Sequence, residues 1–233
     1  MPDAKDRIFV AIDTPDLEAA SQLAVRLAPA VGGIKLGLEF FVAQGPDGVR
    51  QVAGRHSAVP LFLDVKLHDI PNTVAGGVRS AARLKPSFVT IHASGGEAMM
   101  RAAAEAAAGS GTKLLGITVL TSLDEEDLAA VGQSRPGADQ VRRLAALAQA
   151  SGLDGVVCAP PEVALLRADC GPDFTLMAPG VRPEWAGADD QKRVMTPAEA
   201  VANGADYLVI GRPITRAPDP LEAARRIAAE LTG

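Results

Sequence analysis

Short apolar runs alternate with amphipathic stretches along the whole chain. The runs are apolar at consecutive positions, as in Leu61-Phe62-Leu63 and Tyr207-Leu208-Val209-Ile210. Consecutive apolar positions are typical of parallel strands that are covered on both faces. Eight strands are predicted on this basis: Ile8–Asp13, Gly33–Gly37, Leu61–Lys66, Phe88–His92, Lys113–Val119, Gly155–Cys158, Thr175–Ala178 and Tyr207–Ile210.

Each predicted strand is followed by a stretch with helical periodicity, and strand starts lie 20 to 42 residues apart. This spacing brackets the roughly 30 residues of a βαβ unit. The longest interval has room for two helices, at Leu123–Val131 and Asp139–Ser151. Residues that commonly cap helices precede Pro, or stand three positions before Glu, at several predicted starts. These are Thr14, Ser122, Thr196 and Asp219.

The alternation predicts an α/β fold, a closed (β/α)8 TIM barrel, rather than an open doubly wound sheet. A Rossmann sheet would carry G-x-G-x-x-G after its first strand, whereas Asp13 is followed by Thr14-Pro15-Asp16-Leu17-Glu18. No linker or low-complexity tract divides the chain. We therefore expect one catalytic domain over residues 1–233.

Composition narrows the function classes. The 233 residues are 48% hydrophobic but include only six Phe, one Tyr and one Trp, so an aliphatic core is expected. The net charge of −5 argues against a nucleic-acid partner. No apolar run approaches the roughly 18 residues of a membrane span, and no signal peptide is evident, so a cytoplasmic protein is predicted. Cys158 and Cys170 lack redox or zinc spacing and are expected to be unpaired.

Charged residues close the third predicted strand and its neighbour. Catalytic groups of such barrels project from the C-terminal ends of the strands. Asp64 and Lys66 are two apart and would share one strand face, with Lys35 beside them and Asp69 in the following loop. The array either neutralises itself as a structural ion-pair layer or holds a cationic lysine ready for proton transfer. The position at strand ends favours proton transfer.

A second group of candidates points to an anion. Gly211 and Arg212 follow strand eight, and barrels often bind phosphate on the loops after strands seven and eight. Arg182 and Gln191 lie in the stretch after strand seven. The alternative is that these arginines are ordinary surface residues. Ser122, at the end of strand five, is either a ligand contact or only a helix cap.

The run Asp64-Val65-Lys66-Leu67-His68-Asp69-Ile70-Pro71-Asn72-Thr73 closely resembles the signature of the orotidine 5′-monophosphate decarboxylase family. The likeness covers nearly the whole chain. Further matching segments are Ala11-Ile12-Asp13, Lys35-Leu36-Gly37-Leu38-Glu39, Val119-Leu120-Thr121-Ser122, Pro179-Gly180-Val181-Arg182-Pro183 and Ile210-Gly211-Arg212-Pro213-Ile214-Thr215.

The resemblance implies decarboxylation of orotidine 5′-monophosphate to UMP and CO2, the last step of de novo pyrimidine nucleotide synthesis, with no cofactor and no metal. Lys66 would protonate C6 and Asp64 would face the substrate carboxylate. Asp69 would complete the catalytic set from the neighbouring subunit, together with Thr73, in a homodimer with shared sites. The remaining implied contacts are Asp13 and Lys35 to the ribose, Thr121 and Ser122 to the pyrimidine, and Pro179, Arg182, Gln191, Gly211 and Arg212 at the phosphate end.

Two alternatives remain open at this point. Related barrels, the 3-keto-gulonate-phosphate decarboxylases and hexulose-phosphate synthases, resemble one another in needing magnesium. They would offer an acidic ligand where this chain has Lys35, and they lack the continuation Ile70-Pro71-Asn72-Thr73. From another class, the chain could be a nucleotide-binding barrel without catalytic activity.

Overall fold

The apolar runs form eight parallel strands that close into a barrel in chain order. The computed structural model describes residues 3–55, 59–133, 136–186 and 195–232. The barrel closes where Phe9 of the first strand pairs with Val209 of the last. This confirms the predicted (β/α)8 architecture. The strands are β1 Ile8–Ile12, β2 Gly33–Gly37, β3 Leu61–Leu67, β4 Phe88–His92, β5 Lys113–Ile117, β6 Gly155–Val157, β7 Thr175–Pro179 and β8 Tyr207–Ile210.

Helices surround the barrel and cover its outer face. They bury small and aliphatic side chains against the sheet, as α1 does with Ala20, Ala24 and Leu27. The helices are α1 Leu17–Leu27, α2 Leu38–Arg55, α3 Pro71–Ala82, α4 Glu97–Ala107, α5 Glu125–Ala130, α6 Gly137–Ala150, α7 Val163–Cys170, α8 Pro197–Ala202, α9 Arg212–Thr215 and α10 Pro220–Glu230.

Two of the four predicted helix caps are wrong. Asp16, not Thr14, caps α1 by accepting the Ala19 N–H at 2.7 Å. Asp124, not Ser122, caps α5, which therefore begins two residues later than predicted. A carboxylate accepts a backbone N–H more strongly than a hydroxyl does and also favours the positive end of the helix dipole. The caps at Thr196 and Asp219 are confirmed.

Aromatic side chains fill one end of the barrel interior. Phe9, Phe62, Phe88 and Tyr207 stack edge to face near the N-terminal ends of the strands, with ring centroids 5.4 to 6.1 Å apart. The core is mostly aliphatic, as expected, but three of the six phenylalanines and the one tyrosine lie together inside the barrel. These four rings form an aromatic plug in the half of the barrel near the N-terminal ends of the strands. The half near the C-terminal ends is therefore left for polar side chains.

Within the described ranges, no helix is long and apolar enough to cross a membrane. Cys158 is buried and Cys170 is partly buried, and both are free thiols. Burial raises the pKa of the Cys158 thiol, so this residue is a neutral core group rather than a nucleophile.

Candidate active site

A cavity of about 270 Å³ opens at the C-terminal ends of the strands, above the aromatic plug. Its floor is apolar and includes Ala11, Phe62, Ile117, Val157 and Val209. Its polar lining contains most of the candidates predicted from the strand ends. These are Asp13, Lys35, Asp64, Lys66, Thr121, Pro179, Arg182, Gly211 and Arg212.

Lys35 links two carboxylates on neighbouring strands. Its Nζ atom lies 3.3 Å from Oδ1 of Asp13 and 3.3 Å from Oδ2 of Asp64. The side chains of Lys35 and Asp64 are each only 10% exposed, whereas that of Asp13 is 60% exposed. A buried charge is tolerated only when it is paired, and here each buried member has an opposite charge beside it.

Lys66 reaches the same carboxylate from an irregular part of β3. Its Nζ atom lies 2.8 Å from Oδ2 of Asp64. Five residues of β3, Leu63 to Leu67, run beside only three of β4, Val89 to Ile91, so β3 bulges between these pairs. Lys66 takes a φ of 51°, which non-glycine residues rarely adopt. The predicted pair is therefore confirmed, and both side chains line the cavity, although β3 is irregular between them.

The two ammonium groups keep Asp64 ionised. Burial acts to raise the pKa of this carboxyl, but the charges of Lys35 and Lys66 and the hydrogen bonds to Asp64 together hold the pKa below its usual range. Hydrogen bonds from Lys66 and Thr90 act in the same direction. Among the described residues, no three His, Cys, Asp or Glu side chains gather so as to hold a metal ion.

Thr90 of β4 supports this cluster and was missed by the sequence reasoning. Its hydroxyl lies 2.9 Å from Oδ1 of Asp64 and 2.9 Å from the backbone nitrogen of Lys66. The residue is completely buried. The available signal was its place two residues after Phe88, which puts it on the inward face of a strand next to Asp64.

The anion-binding candidates line the other side of the cavity. Arg182 is 5% exposed, and its backbone N–H donates to the Met195 carbonyl at 3.0 Å. Arg212 begins the short helix α9 directly after Gly211, which β8 brings beside β1. The two guanidinium groups give this wall positive charge. Gln191 lies outside the described residues.

Three of the predicted site residues do not line the cavity. Asp69 is exposed, and its Oδ1 accepts the N–H of Ile70 at 2.6 Å. Thr73 is exposed on the first turn of α3. Ser122 is exposed in the turn before α5. Nearby Ile70 is 67% exposed.

Comparison with known proteins agrees with this arrangement. The model of the orotidine 5′-phosphate decarboxylase / HUMPS family matches residues 6–227. The chain belongs to this family. The orotidine 5′-phosphate decarboxylase of Rhodospirillum rubrum is 56% identical over 97% of this chain and 94% of its own. That of Paramagnetospirillum magneticum is 57% identical over 96% of this chain and 97% of its own.

A solved structure from the same family shares the fold. The crystal structure of orotidine 5′-phosphate decarboxylase from Lactobacillus acidophilus superposes with a TM-score of 0.85 at 36% identity, covering 97% of this chain and 99% of that one. The resemblance drawn from the segment Asp64 to Thr73 is thereby confirmed at the level of family. The named relatives are carboxy-lyases.

Proposed function

We propose that this enzyme decarboxylates orotidine 5′-monophosphate to UMP and CO2 without a cofactor, with Lys66 as the proton donor to C6. One observation carries the proposal: the Lys66 ammonium lies 2.8 Å from the buried Asp64 carboxylate, at the wall of a cavity that also presents Arg182 and Arg212. A fixed cation next to an anion suits a reaction in which negative charge moves onto one atom.

The reaction needs this charge because the product carbanion is poorly delocalised. The bond between C6 and the carboxylate breaks, CO2 leaves, and the electron pair stays on C6 in the plane of the ring. The Lys66 ammonium stabilises that pair and then transfers its proton to form the C6–H bond. Water returns the proton to Lys66, so each turnover consumes one proton. Asp64 keeps the ammonium in place and repels the substrate carboxylate before it leaves.

The remaining cavity residues would hold the nucleotide. Arg182, Gly211, Arg212, Pro179 and Gln191 would bind the phosphate, since a guanidinium binds a phosphate through two parallel hydrogen bonds. Asp13 and Lys35 would bind the ribose hydroxyls, and Thr121 would contact the pyrimidine, whereas Ser122 is exposed outside the cavity. The 60% exposure of the Asp13 side chain leaves its free oxygen accessible to such a ligand.

We further propose that the active enzyme is a homodimer whose subunits complete each other's sites. Asp69 and Thr73 are exposed outside the cavity of their own barrel, and the 67% exposed Ile70 lies between them. Side chains that lie outside the cavity of their own barrel could contribute to a site only in a neighbouring subunit. The partner's Asp69 would then add a second carboxylate beside Lys66.

Ultraviolet absorbance tests the reaction directly. Incubation with orotidine 5′-monophosphate in the presence of EDTA should change the absorbance of the pyrimidine as its carboxylate is lost, with uptake of one proton. Turnover of orotidine 5′-monophosphate that persists in EDTA would exclude the magnesium-dependent sugar-phosphate enzymes. Absence of any turnover would leave a nucleotide-binding protein.

Lys66→Ala separates an enzyme from a binding protein. The variant should lose activity by several orders of magnitude while it stays folded and still binds UMP. Lys85→Ala is a matched control, because Lys85 is an exposed lysine with a nearly identical φ of 54° outside the cavity. Lys85→Ala should change backbone strain in the same way and leave turnover unaffected.

A further inference from the structure

A single hydroxyl joins the two groups on which the proposed chemistry depends. Thr90 Oγ1 lies 2.9 Å from Asp64 Oδ1 and 2.9 Å from the backbone nitrogen of Lys66. The other oxygen of Asp64, Oδ2, receives both ammonium groups. Thr90 is fully buried and is not among the residues that line the cavity, so it has no route to a bound nucleotide.

The chemistry of the groups fixes the direction of both hydrogen bonds. An ionised carboxylate only accepts, and a backbone N–H only donates. The hydroxyl must therefore donate its proton to Asp64 and accept the Lys66 N–H through a lone pair. Threonine bridges the two groups because its single hydroxyl both donates and accepts a hydrogen bond. Valine has the shape of threonine but neither function.

The hydrogen bond from the Lys66 N–H lies at the bulge of β3. The bulge in β3 takes the Lys66 N–H away from regular pairing with β4, and the residue stands at a φ of 51°. Such a conformation persists only where the surroundings over-determine it. An unsatisfied N–H at a buried site is itself unfavourable. The Thr90 hydroxyl accepts this N–H at 2.9 Å.

We propose that Thr90 is a positioning residue, whose hydroxyl locks the Asp64 carboxylate and the Lys66 backbone into the one arrangement that aims the Lys66 ammonium into the cavity. The inference rests on the proposed function, which gives the aim of that ammonium its importance. Thr90 acts through Asp64 and Lys66 and does not touch the substrate. Its loss should therefore reduce the chemical step and spare nucleotide binding.

Three variants test this role. Thr90→Val should lower kcat about 10- to 100-fold and change KM less than about threefold, because the phosphate and ribose contacts remain. Thr90→Ser keeps the hydroxyl and should restore kcat to within about threefold of the unmodified enzyme. The control is Thr112→Val, which removes another buried hydroxyl, one that donates to the Pro86 carbonyl at 2.9 Å. Thr112→Val should lower stability without lowering kcat.

A second measurement does not depend on the substrate. In protein labelled with ¹³C-lysine, the Cε signal of Lys66 is identified by its loss in Lys66→Ala. Thr90→Val should move this signal, and Thr90→Ser should return it towards its original position. Failure of the unmodified protein to decarboxylate the nucleotide would refute the proposed function alone. The Lys66 signal would still decide whether Thr90 positions that side chain.

Several outcomes would overturn the inference. A Thr90→Val enzyme with unchanged kcat and an unmoved Lys66 signal would show that the hydroxyl has no positioning role. Equal damage in Thr90→Val and Thr90→Ser would show that only packing matters at this position. If Thr90→Val does not fold, Thr90→Ser and Thr90→Cys replace it: the weaker thiol should give the lower kcat, and equal rates would contradict the proposal.

Discussion

Lys66 Nζ lies 2.8 Å from Oδ2 of Asp64, and Lys66 reaches that oxygen from a backbone conformation with a φ of 51°. The same oxygen lies 3.3 Å from Nζ of Lys35. One buried carboxylate thus holds two cations, and neither cation can be removed without altering the ionisation of Asp64. The pH dependence of kcat should therefore report the effect of each lysine on the ionisation of Asp64.

Removal of Lys35 should shift the acid-side loss of activity to a higher pH. Burial raises the pKa of Asp64, and the charges of Lys35 and Lys66, together with hydrogen bonds from Lys66 and Thr90, reverse that effect. With both lysines present, Asp64 stays ionised and its ionisation should not limit kcat as the pH is lowered from about 7 to 5. In Lys35→Met the pKa of Asp64 should rise, so the acid-side fall in kcat should occur at a higher pH.

The control for this profile is Lys113→Met, which removes an exposed lysine at the opposite end of the barrel. Its profile should match that of the unmodified enzyme.

The lowered pKa of Asp64 also predicts how the stability of the fold depends on pH. A carboxyl with a lower pKa in the folded state stabilises the fold above its unfolded pKa near 4 and loses this contribution as the pH falls. A Lys35→Met profile that coincides with the unmodified one would refute the coupling.

Arg212→Ala should weaken phosphate recognition. Loss of charge-assisted hydrogen bonds predicts a fall in kcat/KM for the nucleotide of about 10- to 100-fold, mostly through KM. Arg216, exposed at the end of the same short helix, provides the control, and Arg216→Ala should leave both constants unchanged. Orotidine without its phosphate measures the specificity of the effect. If Arg212→Ala slows orotidine and the nucleotide equally, Arg212 does not bind the phosphate.

The strands could be predicted because their runs are apolar on both faces, a pattern that helices of this barrel do not share. The first residues of the helices were harder to predict. At α1 and α5 the sequence offers two capping candidates within two residues, Thr14 or Asp16 and Ser122 or Asp124. The choice depends on which side chain reaches the free N–H groups, and in both cases the carboxylate does.

The cavity could be predicted from the polar residues that close the strands, because parallel strands of a barrel end at one rim. The bulge at Lys66 and the bridge made by Thr90 could not. Both depend on the register between β3 and β4, which brings residues 24 and 26 positions apart into contact. A local pattern does not contain that information.

Gly155→Ala should destabilise the fold without a specific effect on chemistry. Gly155 on β6 pairs with Thr175 on β7, and a Cβ at this position would overlap the Thr175 backbone carbonyl. Backbone cannot give way as a flexible side chain does, so we expect a loss of about 1 to 3 kcal/mol in the free energy of unfolding. Urea unfolding measures it.

Gly54→Ala is the matched change. Gly54 lies exposed near the end of α2, and a Cβ there would meet no atom within 4 Å. Alanine in a helix should stabilise by up to about 1 kcal/mol relative to glycine. If both substitutions have the same effect on unfolding, the close approach of β6 and β7 at Gly155 is not what requires glycine.

Mixed dimers should recover activity if subunits share their sites. Lys66→Ala and Asp69→Ala chains, co-expressed with different affinity tags, are each expected to be inactive alone. In a heterodimer, the barrel that keeps Lys66 receives Asp69 from the other chain and is intact, whereas the second site carries both changes. Random pairing then predicts about a quarter of the unmodified activity.

The decisive control pairs Lys66→Ala with Asp64→Ala. Lys66 and Asp64 contact each other within one chain, so both changes damage the barrel in which they lie, and every site in the mixture lacks one of the two. No recovery is expected, even though these heterodimers form as readily. Recovery with Asp69→Ala but not with Asp64→Ala would assign Asp69 to the neighbouring site. Recovery in neither mixture, with heterodimers isolated through both tags, would mean that each barrel works without its partner's Asp69.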